Sequence, residues 1–189
     1  RERTDRTRFL GATAALGLTE PLYDELVAIK LVKPFQKNLL KKRTAMKTAT
    51  DAFGKLVNYE VGDVTAAATY YLAEIYYNFS RSLTESERPD NLNAEALEQY
   101  ELAIEEQAYP FEEKAIAVHE KNLGLLSVGV YSPWIDKSIE KLDKLVPARY
   151  AKFEETTGFV HTIGQFKYEP STSAAANARA SRMSKATSA

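Results

Sequence analysis

The chain has 189 residues, of which 44% are hydrophobic and 27% charged, a balance typical of a globular domain. No apolar run approaches the ~18–20 residues that a membrane span requires, so the sequence predicts no spanning segment. Cysteine is absent, which excludes disulfides, zinc–thiolate sites and cysteine nucleophiles. Since the first residue, Arg1, is not an initiator methionine, we expect a processed product or part of a longer chain.

Turn-forming residues divide the beginning of the chain into two predicted helices. Gly17 ends a helix over residues 1–16, because glycine commonly terminates helices. Thr19 then caps a second helix, which ends or kinks at Pro34.

Apolar periodicity predicts two longer helices in the middle of the chain. One covers residues 35–59, and the next, capped by Asp63, covers residues 63–83. The second of these combines tyrosines with several alanines. Small residues let a neighbouring helix approach closely, and tyrosines supply large contact area with a polar tip. This composition favours a binding scaffold over an enzyme.

Capping residues predict three further helices after a polar loop. Asn93 caps a fifth helix, and Pro110 fits the first turn of a sixth. Ser132 caps a seventh helix, which Pro147 stops. We therefore predict an all-α fold of about seven antiparallel helices joined by short connections.

The amino-acid composition and the predicted structure change near the end of the chain. Residues 157–168 favour a short extended stretch. Residues 169–189 are rich in serine and alanine and carry basic but almost no acidic or large apolar side chains. Such a segment cannot offset its ordering entropy by burial. We predict a helical domain over 1–168 and a flexible basic tail over 169–189.

A net charge of −1 conceals two oppositely charged segments. Residues 30–47 include seven basic and no acidic side chains, whereas residues 85–113 include ten acidic ones and a single basic one, Arg88. One interpretation is two solvated helix faces that lie side by side and offset one another. The other is a basic patch for nucleic acid or anionic lipid. Phe35 is its one aromatic residue, so we predict no nucleic-acid partner.

No motif for catalysis, cofactor binding or metal binding is present. The two histidines, His119 and His161, lack the spacing of a helical metal pair, and we interpret His119 as an ordinary helix residue. Phosphate-binding glycine loops and nucleophile elbows are also missing from the sequence. We predict a protein that is not an enzyme and that holds no cofactor or metal.

Two groups of residues resemble the tetratricopeptide repeat (TPR), a 34-residue helix–turn–helix unit. The first group is Thr69, Leu72, Ala73 and Tyr76, and the second is Ala49, Phe53 and Leu56. Val61 stands where that family favours proline, and the spacing between the groups is two residues longer than a strict period. The resemblance implies helical hairpins stacked as an irregular TPR-like solenoid.

Longer segments resemble the C-terminal part of large bacterial TPR proteins of the cell envelope. These segments are D-V-T-A-A-A-T-Y-Y-L-A-E-I-Y, S-E-R-P, E-E-Q-A-Y-P-F-E-E-K-A-I-A-V-H-E-K-N-L and Y-S-P-W-I. Some proteins of that kind are similar to partners of TonB/ExbB/ExbD-type or gliding motors. The resemblance implies a periplasmic or envelope-associated scaffold whose partners are other envelope proteins.

The tyrosine-rich helix and the acidic helix after Asn93 form the predicted protein-binding site. Its residues are Tyr70, Tyr71, Tyr77, Glu98, Glu101 and Glu105. Tyrosines supply desolvated contact, and the acidic run steers a basic partner, for which the tail of this chain or of a neighbouring copy is one candidate. Two alternatives stay open: a structural subunit of a larger permanent complex, and a small helical ligand-binding bundle.

Overall fold

The computed structural model describes residues 4–151 and, farther on, two short strands. Residues 4–151 are helical, which confirms the predicted all-α class for this part of the chain. The helices are α1 (Asp5–Ala28), α2 (Phe35–Leu56), α3 (Gly62–Thr84), α4 (Ala94–Leu123), α5 (Pro133–Leu145) and the short α6 (Pro147–Tyr150). Two 3₁₀ turns, Val57–Tyr59 and Gly124–Val128, follow α2 and α4.

Helix α1 is one continuous helix, so the predicted division at Gly17 is wrong. Its buried residues Ala12, Leu16, Thr19 and Leu26 are spaced by four, three and seven positions, so they form one stripe toward the core that continues across Gly17. Thr19 lies within this stripe, and its hydroxyl donates to the Ala15 carbonyl at 2.8 Å instead of capping a new helix.

Proline also fails to divide α4. The predicted fifth and sixth helices are one 30-residue helix with Pro110 inside it. Ile104 and Ala108 before the proline and Ala115 and His119 after it are buried. Because both halves bury side chains against neighbouring helices, packing outweighs the hydrogen bond that proline removes. Residues 4–151 therefore form five long helices and one short one, where the sequence predicted seven helices.

The predicted caps at Asn93 and Ser132 are confirmed. Asn93 accepts a hydrogen bond from the Ala96 amide at 2.8 Å, and Ser132 accepts one from the Trp134 amide at 3.4 Å. Asp63, in contrast, is inside the first turn of α3 and makes no capping bond. Its carboxylate accepts from the Ser132 hydroxyl, so it joins the beginnings of α3 and α5.

Helix α3 is the centre of this unit and packs against α1, α2, α4 and α5. On its α1 and α2 side, Val64, Ala67, Ala68 and Ile75 meet Ala12, Leu16, Leu26, Ala49 and Phe53. Toward its end, Phe79 and Leu83 meet Ile104 and Ala108 of α4. Several of the contacting α3 residues are alanines, which let the neighbouring helices approach closely.

The helical hairpins are longer than the unit that the TPR resemblance implies. Helices α1 and α3 begin at Asp5 and Gly62, which gives a repeat of 62 − 5 = 57 residues, against 34 for the TPR unit. The TPR-like stacking of these hairpins therefore stays a prediction.

The segment after residue 151 forms a separate unit, Lys152–Ala189. In it, Thr162–Ile163 pairs antiparallel with Phe166–Lys167, within the stretch predicted to be extended. The predicted boundary at residue 168 and the tail over 169–189 lie outside the described residues, as does His161. No helix in the described ranges is both long and apolar enough to cross a membrane.

A buried lysine joins α1 to α2. The Lys42 ammonium donates to the carbonyls of Leu26 and Ile29 at 3.0 and 2.8 Å, and so satisfies carbonyls at the C-terminal end of α1. Burial, with a smaller contribution from Lys30, lowers the pKa of Lys42 to about 8.

Phe53→Ala tests the core assignment. Phe53 is fully buried and stacks on Tyr71, with ring centroids 4.8 Å apart. We expect chemical denaturation to show a loss of about 3–5 kcal/mol in the free energy of unfolding. Phe9→Ala removes the same side chain where it is half exposed and is expected to change stability by less than about 1 kcal/mol. Equal losses in the two variants would contradict this packing.

Lys42→Met tests the buried lysine through pH. Between pH 8 and 10.5 the unfolded state binds more protons at this position than the folded state, so stability rises with pH. We expect the free energy of unfolding of the wild type to rise by about 1 kcal/mol from pH 8 to pH 9, before the tyrosines of the unfolded chain ionise appreciably. Lys42→Met should lose this rise, while Lys41→Met, at the exposed neighbouring position, should keep it. A rise that persists in Lys42→Met would refute the assignment.

Candidate protein-binding surface

One face of α4 is strongly acidic. Asn93 begins the helix, and Glu98, Glu101 and Glu105 follow at spacings of three and four residues, which places them on one exposed face. Farther along this helix the same surface continues through Glu106, Tyr109 and Glu112. We call the following six residues the acidic surface: Glu98, Glu101, Glu105, Glu106, Tyr109 and Glu112.

A shallow groove follows the acidic surface where α4 meets the end of α3. It has a volume of about 570 Å³ and is lined by Thr84, Glu105, Glu106, Ala108, Tyr109 and Glu112. Two large side chains beside the glutamates are open to solvent: Tyr109 is 60% exposed and Leu102 58%. Tyr109 donates to Glu113 at 2.7 Å, which holds its ring on this face. The groove therefore combines negative charge with accessible apolar area.

Little of this negative charge is compensated. Arg88 lies 3.5 Å from Glu101, and this is the one ion pair of the acidic surface within residues 4–151. The acidic loop residues Glu87 and Asp90, by contrast, both pair with Lys33 at the beginning of α2. The two charged segments thus offset one another only at this loop, and the acidic surface keeps its negative charge.

Two of the predicted binding tyrosines belong to an aromatic cluster inside the unit. Tyr71 packs against Phe53, Tyr23 and Trp134 with ring centroids 4.8–5.3 Å apart, and Tyr70 lies 5.5 Å from Trp134. Burial raises the pKa of both Tyr70 and Tyr71 to about 12. Their phenols stay neutral, and their rings hold α3 to α1, α2 and α5.

Tyr77 and its neighbour Tyr76 are half buried on α3. The Lys141 ammonium lies 4.8 Å from the Tyr77 ring centroid, and the Lys114 ammonium 4.5 Å from that of Tyr76. No hydrogen bond, ion pair or ring contact within the described helices joins the three predicted tyrosines to the three predicted glutamates. The predicted tyrosines and the predicted glutamates thus lie in two separate environments, and the role of the tyrosines in binding stays a prediction.

A buried polar network, which the sequence analysis did not detect, joins α3, α4 and α5. Glu74 of α3 lies 3.3 Å from His119 Nε2 and 2.9 Å from Lys141 Nζ. His119 Nδ1 lies 3.2 Å from the Ser138 hydroxyl, which also accepts from the Asn122 amide at 2.8 Å. His119, Asn122 and Ser138 have no exposed surface, so His119 is a buried junction and not an ordinary helix residue.

The contacts of Glu74 keep it ionised despite its burial. Desolvation acts to raise the pKa of this carboxyl, but the contacts to His119 and Lys141 outweigh it, and the net pKa is lowered. The carboxylate therefore forms a charged junction between three helices.

The network has the residue types of a nucleophile–base pair but not its accessibility. Ser138 lies beside His119, with Glu74 near the other ring nitrogen. The Ser138 hydroxyl is fully buried and donates to the Trp134 carbonyl at 3.1 Å, so it does not face a substrate site. Residues 4–151 also bring together no group of three His, Cys, Asp or Glu side chains suited to a metal ion. The geometry supports a structural network.

Comparison with protein-family models, with curated proteins and with solved structures found no match to this chain.

Glu74→Gln tests the charged junction. Gln keeps the shape of the side chain but loses the attraction to Lys141, so we expect a loss of about 2 kcal/mol in the free energy of unfolding at pH 7. Because the pKa of Glu74 is lowered, its contribution is present above pH 4.5 and disappears as the pH falls through the folded-state pKa. The difference between Glu74→Gln and wild type should therefore shrink toward pH 3. Glu98→Gln, on the exposed face of α4, serves as the control, and an equal loss there would argue against a special role for Glu74.

Proposed function

We propose that this chain is a helical protein-interaction module that binds a basic segment of a partner protein along the acidic surface of α4. The α1–α5 unit is the scaffold, and α4 is the element that presents the binding residues. The proposed partner segment carries lysine or arginine together with a few apolar side chains.

The observation that carries the proposal is the uncompensated charge beside exposed apolar groups. Glu101 lies three and four residues from Glu98 and Glu105, spacings at which like charges destabilise a helix, and Arg88 pairs with Glu101 alone. A cationic partner relieves this repulsion, and the negative potential accelerates its approach. Tyr109 and Leu102 add area that becomes buried on binding. An amphipathic basic helix lying in the groove satisfies both requirements.

The wider context follows from the TPR resemblance. In this proposal the module belongs to a scaffold protein of the bacterial envelope, and the partner is an envelope component. An association with a TonB/ExbB/ExbD-type motor stays a prediction on the same basis. Tyr70, Tyr71 and Tyr77 act mainly by fixing α3 against its neighbours.

Fluorescence anisotropy with a labelled peptide tests the binding surface. The probe is an amphipathic helical peptide of about 20 residues that carries lysine and leucine on opposite faces. We expect binding that weakens as salt is raised from 50 to 500 mM, because the charges are exposed to screening. The double variant Glu105→Gln/Glu112→Gln is expected to weaken binding roughly tenfold, the result of losing about 1.4 kcal/mol.

A matched variant controls for net charge. Asp136→Asn/Glu140→Gln removes two exposed carboxylates from α5 and should leave peptide binding unchanged. Equal weakening by the two double variants would mean that net charge, not the acidic surface, attracts the peptide. A pull-down from an envelope extract with wild type and Glu105→Gln/Glu112→Gln then identifies natural partners. Recovery of the same proteins in equal amounts, or of nucleic acid alone, would count against the proposal.

A further inference from the structure

A second groove lies between α1 and α2, away from the acidic surface. It has a volume of about 460 Å³. Its lining includes Leu22 and Glu25 of α1, Ile29 directly after that helix, and Leu40, Lys41 and Ala45 of α2, together with two threonines. The groove is therefore mostly apolar, with one acidic side chain on the first wall and one basic side chain on the second.

The apolar part of this groove extends onto the open surface of the hairpin. Leu18 is 82% exposed and Leu40 is 68% exposed. Leu18 and Leu22 are four residues apart on α1. Leu22 is partly buried against the core, whereas Leu18 faces solvent. Helix α1 thus carries an exposed apolar edge beside the face that it buries.

Neither charged wall residue is neutralised within its own chain. Glu25 and Lys41 line the same groove, yet in residues 4–151 each lies more than 4 Å from any oppositely charged group. A binding partner that neutralises both must carry a positive charge opposite α1 and a negative charge opposite α2. The α1/α2 face of a second copy meets this requirement.

The geometry points to a homodimer in which the α1/α2 faces of two copies pack together. Helices α1 and α2 are joined by the short connection 29–34 and run antiparallel. A two-fold axis parallel to these helices places α1 of each copy over α2 of the other. Each helix is then antiparallel to both of its neighbouring helices, within its own copy and in the other copy, as in a four-helix bundle.

This symmetry also pairs the charges. Rotation about that axis exchanges the two walls, so Glu25 of each copy faces Lys41 of the other, and the pair occurs twice. Leu18 and Leu40 are buried beside these pairs, which removes their apolar area from water. The dimer is independent of the proposed binding of a basic segment, because it uses a different pair of helices.

Charge reversal combined with sedimentation velocity tests the dimer. At about 100 µM the wild type should sediment as a dimer even if its dissociation constant is in the micromolar range. Glu25→Lys alone and Lys41→Glu alone each place like charges opposite one another, and each should weaken dimerisation roughly tenfold or more. Glu98→Lys makes the same charge change on α4 and should leave the dimer intact.

Mixing the two single variants distinguishes contact between chains from an effect within one chain. A copy with Glu25→Lys and a copy with Lys41→Glu are complementary across the two-fold axis, so the mixture should form a heterodimer. The double variant Glu25→Lys/Lys41→Glu should recover the homodimer. A monomeric wild type at this concentration, or a dimer unaffected by either single reversal, would overturn the proposal. A mixture that stays monomeric while both single variants keep wild-type circular dichroism would overturn it as well.

Discussion

Helix α3 must pack against four other helices at once, and much of the rest of the unit depends on this requirement. A helix contacted from so many directions has little open face, so its side chains must be small or must fit a specific neighbour. The alanines at positions 66, 67, 68 and 73 meet the first condition, since each is fully buried. The aromatic rings of Tyr71 and Phe79 meet the second by packing on other rings.

The same requirement explains the buried charge on α3. Position 74 lies between the buried residues Ala73 and Ile75, where an isolated carboxylate is strongly disfavoured. Lys141 of α5 and His119 of α4 provide the compensating contacts. A buried ion pair is weak evidence for added stability, but removing one partner is costly. Glu74 therefore fixes which residues of α4 and α5 can lie next to α3.

How much of this was predictable depends on how local each signal is. The caps at Asn93 and Ser132 and the helical periodicity of α2 and α3 depend on residues within a few positions, and the sequence predicts these caps and these two helices correctly. The helix ends predicted near Gly17 and Pro110 are wrong, because the local preference of these residues to end a helix is outweighed by packing on both sides.

The network of Glu74, His119 and Ser138 was not predictable for the opposite reason. Its members are 45 and 19 positions apart in the sequence, and nothing local distinguishes Glu74 from a solvated glutamate. One indirect indication of this network exists: Glu74, His119 and Ser138 are polar residues at positions that helical periodicity assigns to the buried face of their helices. Tyr109 was not predicted because it is a single aromatic residue among glutamates, outside any periodic apolar pattern.

Both proposed interactions depend on charge, but the charges are arranged differently on the two surfaces. Most of the glutamates of α4 lack a basic partner in residues 4–151. In the proposed dimer, by contrast, Glu25 and Lys41 neutralise each other across the two-fold axis. A net negative surface is strongly screened by salt, because it acts at a distance on an approaching partner. Pairs buried together with leucines are screened less, because solvent ions reach them poorly. Peptide binding and dimerisation should thus respond differently to salt, and one titration measures whether the two surfaces act independently.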